Sequence, residues 1–232
     1  MKSVNGNGTR EGARWLGVAL FAPVFGCEGA GSVLEPRTDL RPLHPTVQRP
    51  PTLVRVSYSH ACGIQGGAAY CWGQNDFGEL GVGNDQEARK PVAIERDDWY
   101  DIHVGNEHTC ALTRNRDVYC WGNNEFGQLG TGDRASRSTP TRVELPGAAA
   151  NLSSGWNHAC AVLDNAELWC WGEGTEGQLG QGDYPPPGDE PRAADSLVPI
   201  LVPNPSSDAT AWLSVDAGEG HTCAVQNNGS LW

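Results

Sequence analysis

Residues 105–133 read GNEHTCALTRNRDVYCWGNNEFGQLGTGD, and the chain repeats this string. It recurs from His158 (HACAVL), through Leu168 to Gly172 (LWCWG), to Gly177–Asp183 (GQLGQGD). It occurs earlier from His60 (HACGI), through Tyr70 to Gly73 (YCWG), to Gly78–Asn84 (GELGVGN). A fourth copy begins at His221 (HTCAV) and runs to Leu231 and Trp232. The histidines at 60, 108, 158 and 221 stand 48, 50 and 63 residues apart. Chance does not match about a dozen positions three times over, so repetition decides the fold.

A period near 50 residues with glycine and aromatic punctuation predicts blades of about four short antiparallel strands, an all-β partial propeller. Composition agrees. The 232 residues hold 30 glycines, 16 prolines and 9 tryptophans, and only 19% are charged. That excludes a long-helix or coiled-coil protein. Strands of the second repeat are expected at Val92–Ile94, Asp101–Val104, Thr109–Leu112 and Val118–Trp121, where alternation suits half-buried strands. One such sheet cannot bury both faces alone, so neighbouring blades must stack on it. A formal net charge of -12 is ill-suited to neutralising phosphates and argues against nucleic-acid binding.

These residues resemble the regulator of chromosome condensation repeat family, whose pattern is G-x-x-H-x-x-A-L, then V-Y-x-W-G-x-N, then G-Q-L-G-x-G-D. Gly105 to Leu112, Val118 to Asn123 and Gly127 to Asp133 match it. In the third repeat Glu173 stands in place of the Asn. In the first, Ser57 replaces the leading Gly and Asn84 the Asp. The resemblance covers roughly residues 52–232 and implies a seven-bladed propeller. Seven repeats need about 350 residues, so the chain is expected to be truncated, with about three and a half blades. The blades are placed near 52–95, 96–146 and 147–205, with a partial blade at 206–232.

Seven of the eight cysteines sit at equivalent places in the repeats. Hairpins turning at Gly66-Gly67, near Asn115 and at Asn165 would set Cys62 opposite Cys71, Cys110 opposite Cys120 and Cys160 opposite Cys170. Facing residues of antiparallel strands lie within disulfide reach. One cross-strand cystine per blade is therefore expected, and with it an oxidising compartment. Zinc and reduced core thiols are the alternatives. Zinc fits less well, because its sites usually show two closely spaced ligand pairs. Cys223 is left as an unpaired thiol.

Residues 1–26 read as a secretory signal. Lys2, Arg10 and Arg14 precede an apolar run of twelve, Trp15–Gly26, too short to span a bilayer. Val24-Phe25-Gly26-Cys27 resembles a bacterial lipobox, which would place a lipid on Cys27; plain secretion and a cytosolic chain are the alternatives. Residues 27–51, with five prolines, read as a tether.

The repeated histidines and tryptophans read as blade architecture and Asp133 and Asp183 as turn residues, because each recurs at one position per blade. No nucleophile–base–orienter set appears, so neither an enzyme nor a cofactor is expected. Function then belongs to what does not repeat. The main irregularity is Tyr184–Asp208, an insertion of about thirteen residues. It offers Tyr184, Asp189, Glu190, Leu197 and Ile200 as a candidate binding loop. Trp99 and Tyr100, beside Asp97 and Asp98, form a second candidate. The expected function is a non-enzymatic binding module of the bacterial cell envelope, with an unknown protein partner and membrane contact only through the lipid. The family resemblance keeps two rivals open: nucleotide exchange on a small GTPase, and a secreted enzyme inhibitor.

Overall fold

The computed structural model describes residues 53–182, 195–205 and 211–232. All regular structure among them is β, in fourteen strands. The first sheet holds β1 (Leu53–Val56), β2 (His60–Gln65), β3 (Ala68–Gly73) and β4 (Ala88–Ala93). The second holds β5 (Trp99–Val104), β6 (His108–Thr113), β7 (Val118–Gly122) and β8 (Arg137–Arg142). The third holds β9 (Ala149–Ser154), β10 (His158–Leu163), β11 (Leu168–Gly172) and β12 (Ser196–Leu201). A fourth pairs β13 (Trp212–Ala217) with β14 (Thr222–Gln226). In each sheet, chain order is spatial order and the pairing is antiparallel, as meandering propeller blades require.

The central hairpins follow from their turns. Gly66 and Gly67 have φ of +69° and +99°, as a two-residue turn with both residues left-handed demands. Arg116 and Ala166, each at φ +65°, close three-residue loops in the next two blades. The register that results pairs Cys62 with Cys71, Cys110 with Cys120 and Cys160 with Cys170. Each pair has its Cα atoms 4.1 Å apart and its sulfurs at bonding distance, 2.01, 2.11 and 2.12 Å.

One strand belongs elsewhere than its sequence position indicated. Val92 lies in β4, the outer edge of the first sheet, paired with Cys71, and not in the second blade. The glycine-rich loop after Gly73 reverses the chain, so the strand that follows pairs back onto β3.

The core lies between sheets. Leu80 and Ile94 of the first blade pack with Trp99, Ile102 and Trp121 of the second. Leu129 and Val143 pack with Leu152 and Trp171 of the third. Leu179 and Val202 pack with Trp212 and Val215 of the fourth. Trp121 and Trp171 are fully buried, whereas Trp72, on the first sheet, is only half-buried. The indole is covered by the blade before it, and among the described residues the first blade has none.

Candidate functional site

The residues that repeat tie one blade to the next. The Trp121 indole N–H donates to the Glu79 carbonyl at 2.9 Å, and Trp171 to the Gln128 carbonyl at 3.0 Å. His60 Nε2 meets Thr109 Oγ1 at 2.7 Å, and His158 Nε2 meets Thr222 Oγ1 at 2.9 Å. Those hydroxyls donate onward to the carbonyls of Glu79 and Gln178. A hydroxyl has one proton, so the histidines are the donors in these pairs. Burial lowers His60 and His158 to about 4 and His108 to about 3, so all three are neutral at pH 7. The leading glycine keeps the blades close. A Cβ on Gly105 would lie 2.1 Å from the His108 ring and 2.7 Å from the Gly155 carbonyl of the next blade. Asp133 is a loop cap, accepting from the Ala135 amide and from Arg137 at 3.0 and 2.7 Å. Apart from His108, each of the polar side chains named here already has a partner in the blade frame or its own loop. Among the described residues no cluster of His, Cys, Asp and Glu is arranged to hold a metal.

The residues that do not repeat gather on another surface. The first strands of all four sheets, β1, β5, β9 and β13, line one trough of about 750 Å³. Its rim is formed by the residue after each leading glycine or serine: Tyr58, Asn106, Trp156 and Glu219. The rim is tied together by its backbone. Ser59 Oγ donates to the Asn106 carbonyl, the Asn106 N–H to the Trp156 carbonyl at 3.2 Å, and the Trp156 N–H to the Gly218 carbonyl at 3.1 Å. That ladder fixes the loops and leaves their side chains outward. Tyr58 is 89% exposed and Trp156 39%, large apolar areas to leave in water.

The trough floor is polar and differs from strand to strand. Its equivalent positions are Arg55, His103, Ser153 and Asp216. Asp101 lies 3.2 Å from His103 Nε2 and 3.8 Å from the Arg55 guanidinium. Burial raises the Asp101 carboxyl, but the His103 hydrogen bond and the neighbouring positive charges outweigh it and hold the group below the usual range. Ser153 Oγ donates to Asp216 at 3.2 Å and accepts the Ala217 N–H at 3.0 Å. A polar floor under exposed aromatic rings is suited to holding a protein segment.

The residues singled out in the sequence are scattered. Tyr184, Asp189 and Glu190 lie outside the described residues, as do Cys27 and the signal and tether segments 1–26 and 27–51. Leu197 and Ile200 are not in a loop. They belong to β12, where Ile200 pairs with Cys170 and Leu197 packs on the turn at Gly127 of the second blade. Trp99 is fully buried, edge-on to Tyr119 and tilted against Trp121, and is not a binding residue. It starts β5 and its backbone N–H donates to Gly67 of the first blade, which turns the ring into the interface. Tyr100, next in the strand, faces out and is 53% exposed. Cys223 is not an unpaired thiol: it is disulfide-bonded, with a partner outside the described residues. Asp195 closes the inserted segment onto the frame, bonding Arg134 at 3.2 Å and the Gly174 N–H at 3.4 Å.

Comparison with known proteins agrees with this architecture. Solved structures with the same fold include Prp20p from Saccharomyces cerevisiae, studied with its binding to Gsp1p and histones (20% identity, TM-score 0.65, covering 74% of this chain and 42% of that one). Human WBSCR16 is similar at 20% identity and TM-score 0.65, covering 77% of this chain and 46% of that one. Yeast RCC1 (Prp20) bound to Kap60 is similar at 22% identity and TM-score 0.64, covering 81% and 44%. The chain thus spans less than half the length of each, and identities this low show the fold alone. No curated protein sequence matches significantly. The repeat profile named regulator of chromosome condensation (RCC1) matches residues 66–112, 117–162 and 165–225, and a second RCC1 repeat profile matches 100–128 and 150–178. The chain belongs to the RCC1 repeat family.

Proposed function

We propose that this protein is an exported, non-enzymatic protein-binding propeller module of the bacterial cell envelope. The observation that carries the binding reading is the trough. On a frame where most positions recur, the rim positions Tyr58, Asn106, Trp156 and Glu219 all differ, and two of them hold exposed aromatic rings. Aromatic anchors beside polar, water-excluding neighbours dominate protein interfaces. The envelope reading is supported by the apolar run at 15–26 and by three buried cystines, which persist in oxidising compartments.

The test has two parts. The chain, expressed in an export-competent bacterium, is measured by intact mass with and without reductant and alkylation. The expected result is loss of residues 1–26 with the cystine bonds intact. Photo-crosslinkers at Tyr58 and Trp156 should then attach to one defined envelope protein, and the Tyr58→Ala/Trp156→Ala double variant should bind it at least about 30-fold more weakly. An uncleaved chain with alkylatable thiols would move the search to cytosolic partners. In that case the second reading, regulation of a small GTPase, gains support. Prp20p, which shares the fold, is described by its binding to Gsp1p.

A further inference from the structure

Trp156 follows the leading glycine of the third repeat, and its indole is exposed. Its backbone is hooked onto both neighbouring blades: the Asn106 N–H donates to the Trp156 carbonyl, and the Trp156 N–H donates to the Gly218 carbonyl. Each bond brings a carboxylate alongside, because Glu107 follows Asn106 and Glu219 follows Gly218. A third comes from the same blade, where the Glu173 N–H donates to the Asn157 carbonyl at 2.9 Å. Three glutamates from three blades are thus gathered about the loop that carries one exposed indole.

Two of these carboxylates are fixed by neutral partners. Glu107 Oε2 accepts the Asn123 side-chain amide at 2.9 Å, and Glu173 Oε2 accepts that of Asn157 at 3.1 Å. The pair is the same in both blades with its members exchanged. The residue before the histidine is Glu107 in the second blade and Asn157 in the third, and the residue after Trp-Gly is Asn123 and then Glu173. Either arrangement keeps one carboxylate and one amide donor, which orients the charge without cancelling it. Among the described residues no lysine or arginine pairs with Glu107, Glu173 or Glu219, and loops 57–59, 105–107, 155–157, 173–182 and 218–221 contain neither residue type. Arg134, on the loop after β7, is committed to Asp195 at 3.2 Å. Neighbouring carboxyls register the excess charge: burial chiefly raises Glu79 and Asp195, and Glu107 and Glu173 respectively raise them further. At the other end of the blades Arg96, Arg116 and Arg142 pair with Asp98, Asp164 and Asp117.

From this arrangement we infer that Trp156, with Glu107, Glu173 and Glu219, is a docking site for an arginine on an extended segment of the partner protein, its guanidinium over the indole and its N–H groups donated to the carboxylates. The inference rests on the protein-binding reading given above and names the chemistry of what docks there. The face of an exposed indole attracts a cation. Carboxylates without a counter-ion add charge-assisted hydrogen bonds and turn away acidic segments. Arginine fits better than lysine, because a flat guanidinium stacks and donates at the same time. The net charge of -12 steers a basic segment toward the protein, and the unpaired carboxylates direct it to this end of the blades.

The experiment titrates the oxidised full chain into a fluorescein-labelled peptide, GSGRGRGSG, followed by anisotropy, beside versions carrying lysine or citrulline in place of arginine. Citrulline keeps the shape of arginine without its charge. Saturable binding at about 1 mM or tighter in low salt is expected for the arginine peptide, several-fold weaker binding for lysine and at least about tenfold weaker for citrulline. Raising the salt from about 50 to about 500 mM should weaken the arginine peptide at least about fivefold. Trp156→Ala and the double variant Glu107→Gln/Glu219→Gln should each weaken it about fivefold or more. Glu95→Gln/Asp97→Asn makes the same charge change on an exposed loop at the other end of the blades and should leave affinity within about twofold. Equal binding of the arginine peptide and either analogue, or equal losses in the two double variants, would overturn the inference. An envelope protein crosslinked at Trp156 whose affinity ignores Glu107→Gln/Glu219→Gln would overturn it as well, while leaving the protein-binding reading in place. No saturation by the arginine peptide together with no crosslinked protein would remove both.

Discussion

His60 Nε2 lies 2.7 Å from the hydroxyl of Thr109 in the neighbouring blade, and both side chains are buried. The same bond joins His158 to Thr222 at the next interface but one. Between them, His108 faces a blade that carries Ala159 at the threonine position. Both ring nitrogens of His108 are buried without a partner. The ring is held in place by packing and by the closeness of Gly105 and Gly155, at a cost in unmet hydrogen bonds.

Ala159→Thr should therefore stabilise the protein. The new hydroxyl would accept from His108 and donate to the Gln128 carbonyl, as Thr109 does with Glu79. The expected gain is about 1 kcal/mol, with a loss of about 1–2 kcal/mol for Thr109→Ala or Thr222→Ala. Urea midpoints under oxidising conditions measure all three. A destabilised Ala159→Thr protein would show that the position is too tight for a hydroxyl.

Acid should loosen the blade interfaces. The unfolded histidines titrate near 6.5, whereas burial holds the folded His60 and His158 at about 4 and His108 at about 3. Below pH 6.5 the unfolded chain binds the protons first, so stability is full above that pH and falls as pH drops toward 4. Each histidine contributes about 1.4 kcal/mol per pH unit in that window. Glu79, whose carboxyl burial raises, acts in the opposite direction over the carboxylate range. Unfolding free energy measured from pH 7 to 5 should approach an uptake of three protons. His108→Gln should remove one proton from that slope; an unchanged slope would mean that His108 already titrates normally in the folded state.

How much of this was legible depended on whether a residue repeats. The cystine register could be read from spacing, because facing positions in a hairpin follow from its turn, and Cys110 does sit opposite Cys120. Trp99 misled because Asp97, Asp98 and Tyr100 surround it with loop-like polarity. A strand starts at Trp99, and alternation buries it while exposing Tyr100. Leu197 and Ile200 misled for a related reason: a proline-rich insertion precedes them, which hides that they re-enter the blade pattern as β12. The trough residues Tyr58 and Trp156 were missed although their signal was present. They occupy the position directly after each leading residue, where four repeats hold four different side chains, which is visible only once the repeats are stacked.

Asn124 should be among the costliest polar substitutions. It is fully buried and anchors the GQLG loop by donating to the carbonyls of Asp133 and Ala135 at 2.8 and 3.1 Å and accepting the Leu129 N–H at 3.0 Å. Asn75 makes the same set in the first blade. Gly174 takes the position in the third, where Asp195 bonds the Gly174 amide. Asn124→Ala leaves the buried Leu129 N–H unpaired and frees the loop at Asp133, for an expected loss of about 2–3 kcal/mol. Gly174→Ala changes no such hub and should cost less. Thermal melts of the two variants compare them directly, and equal losses would contradict the anchoring role.

The cystines should be protected by the fold as much as they protect it. Cys62, Cys71, Cys110, Cys120 and Cys160 are fully buried and Cys170 nearly so, between sheets whose cores close over them. A thiolate must reach a sulfur in line to exchange with it, so reduction requires the interface to open first. In native buffer, Cys110–Cys120 should resist millimolar dithiothreitol far longer than in denaturing urea, and alkylation followed by mass spectrometry resolves each pair. Replacing both Cys110 and Cys120 by Ala should cost about 2–3 kcal/mol, the chain-entropy value for a short loop. Reduction that proceeds equally fast with and without urea would mean that the interfaces open readily in the folded protein.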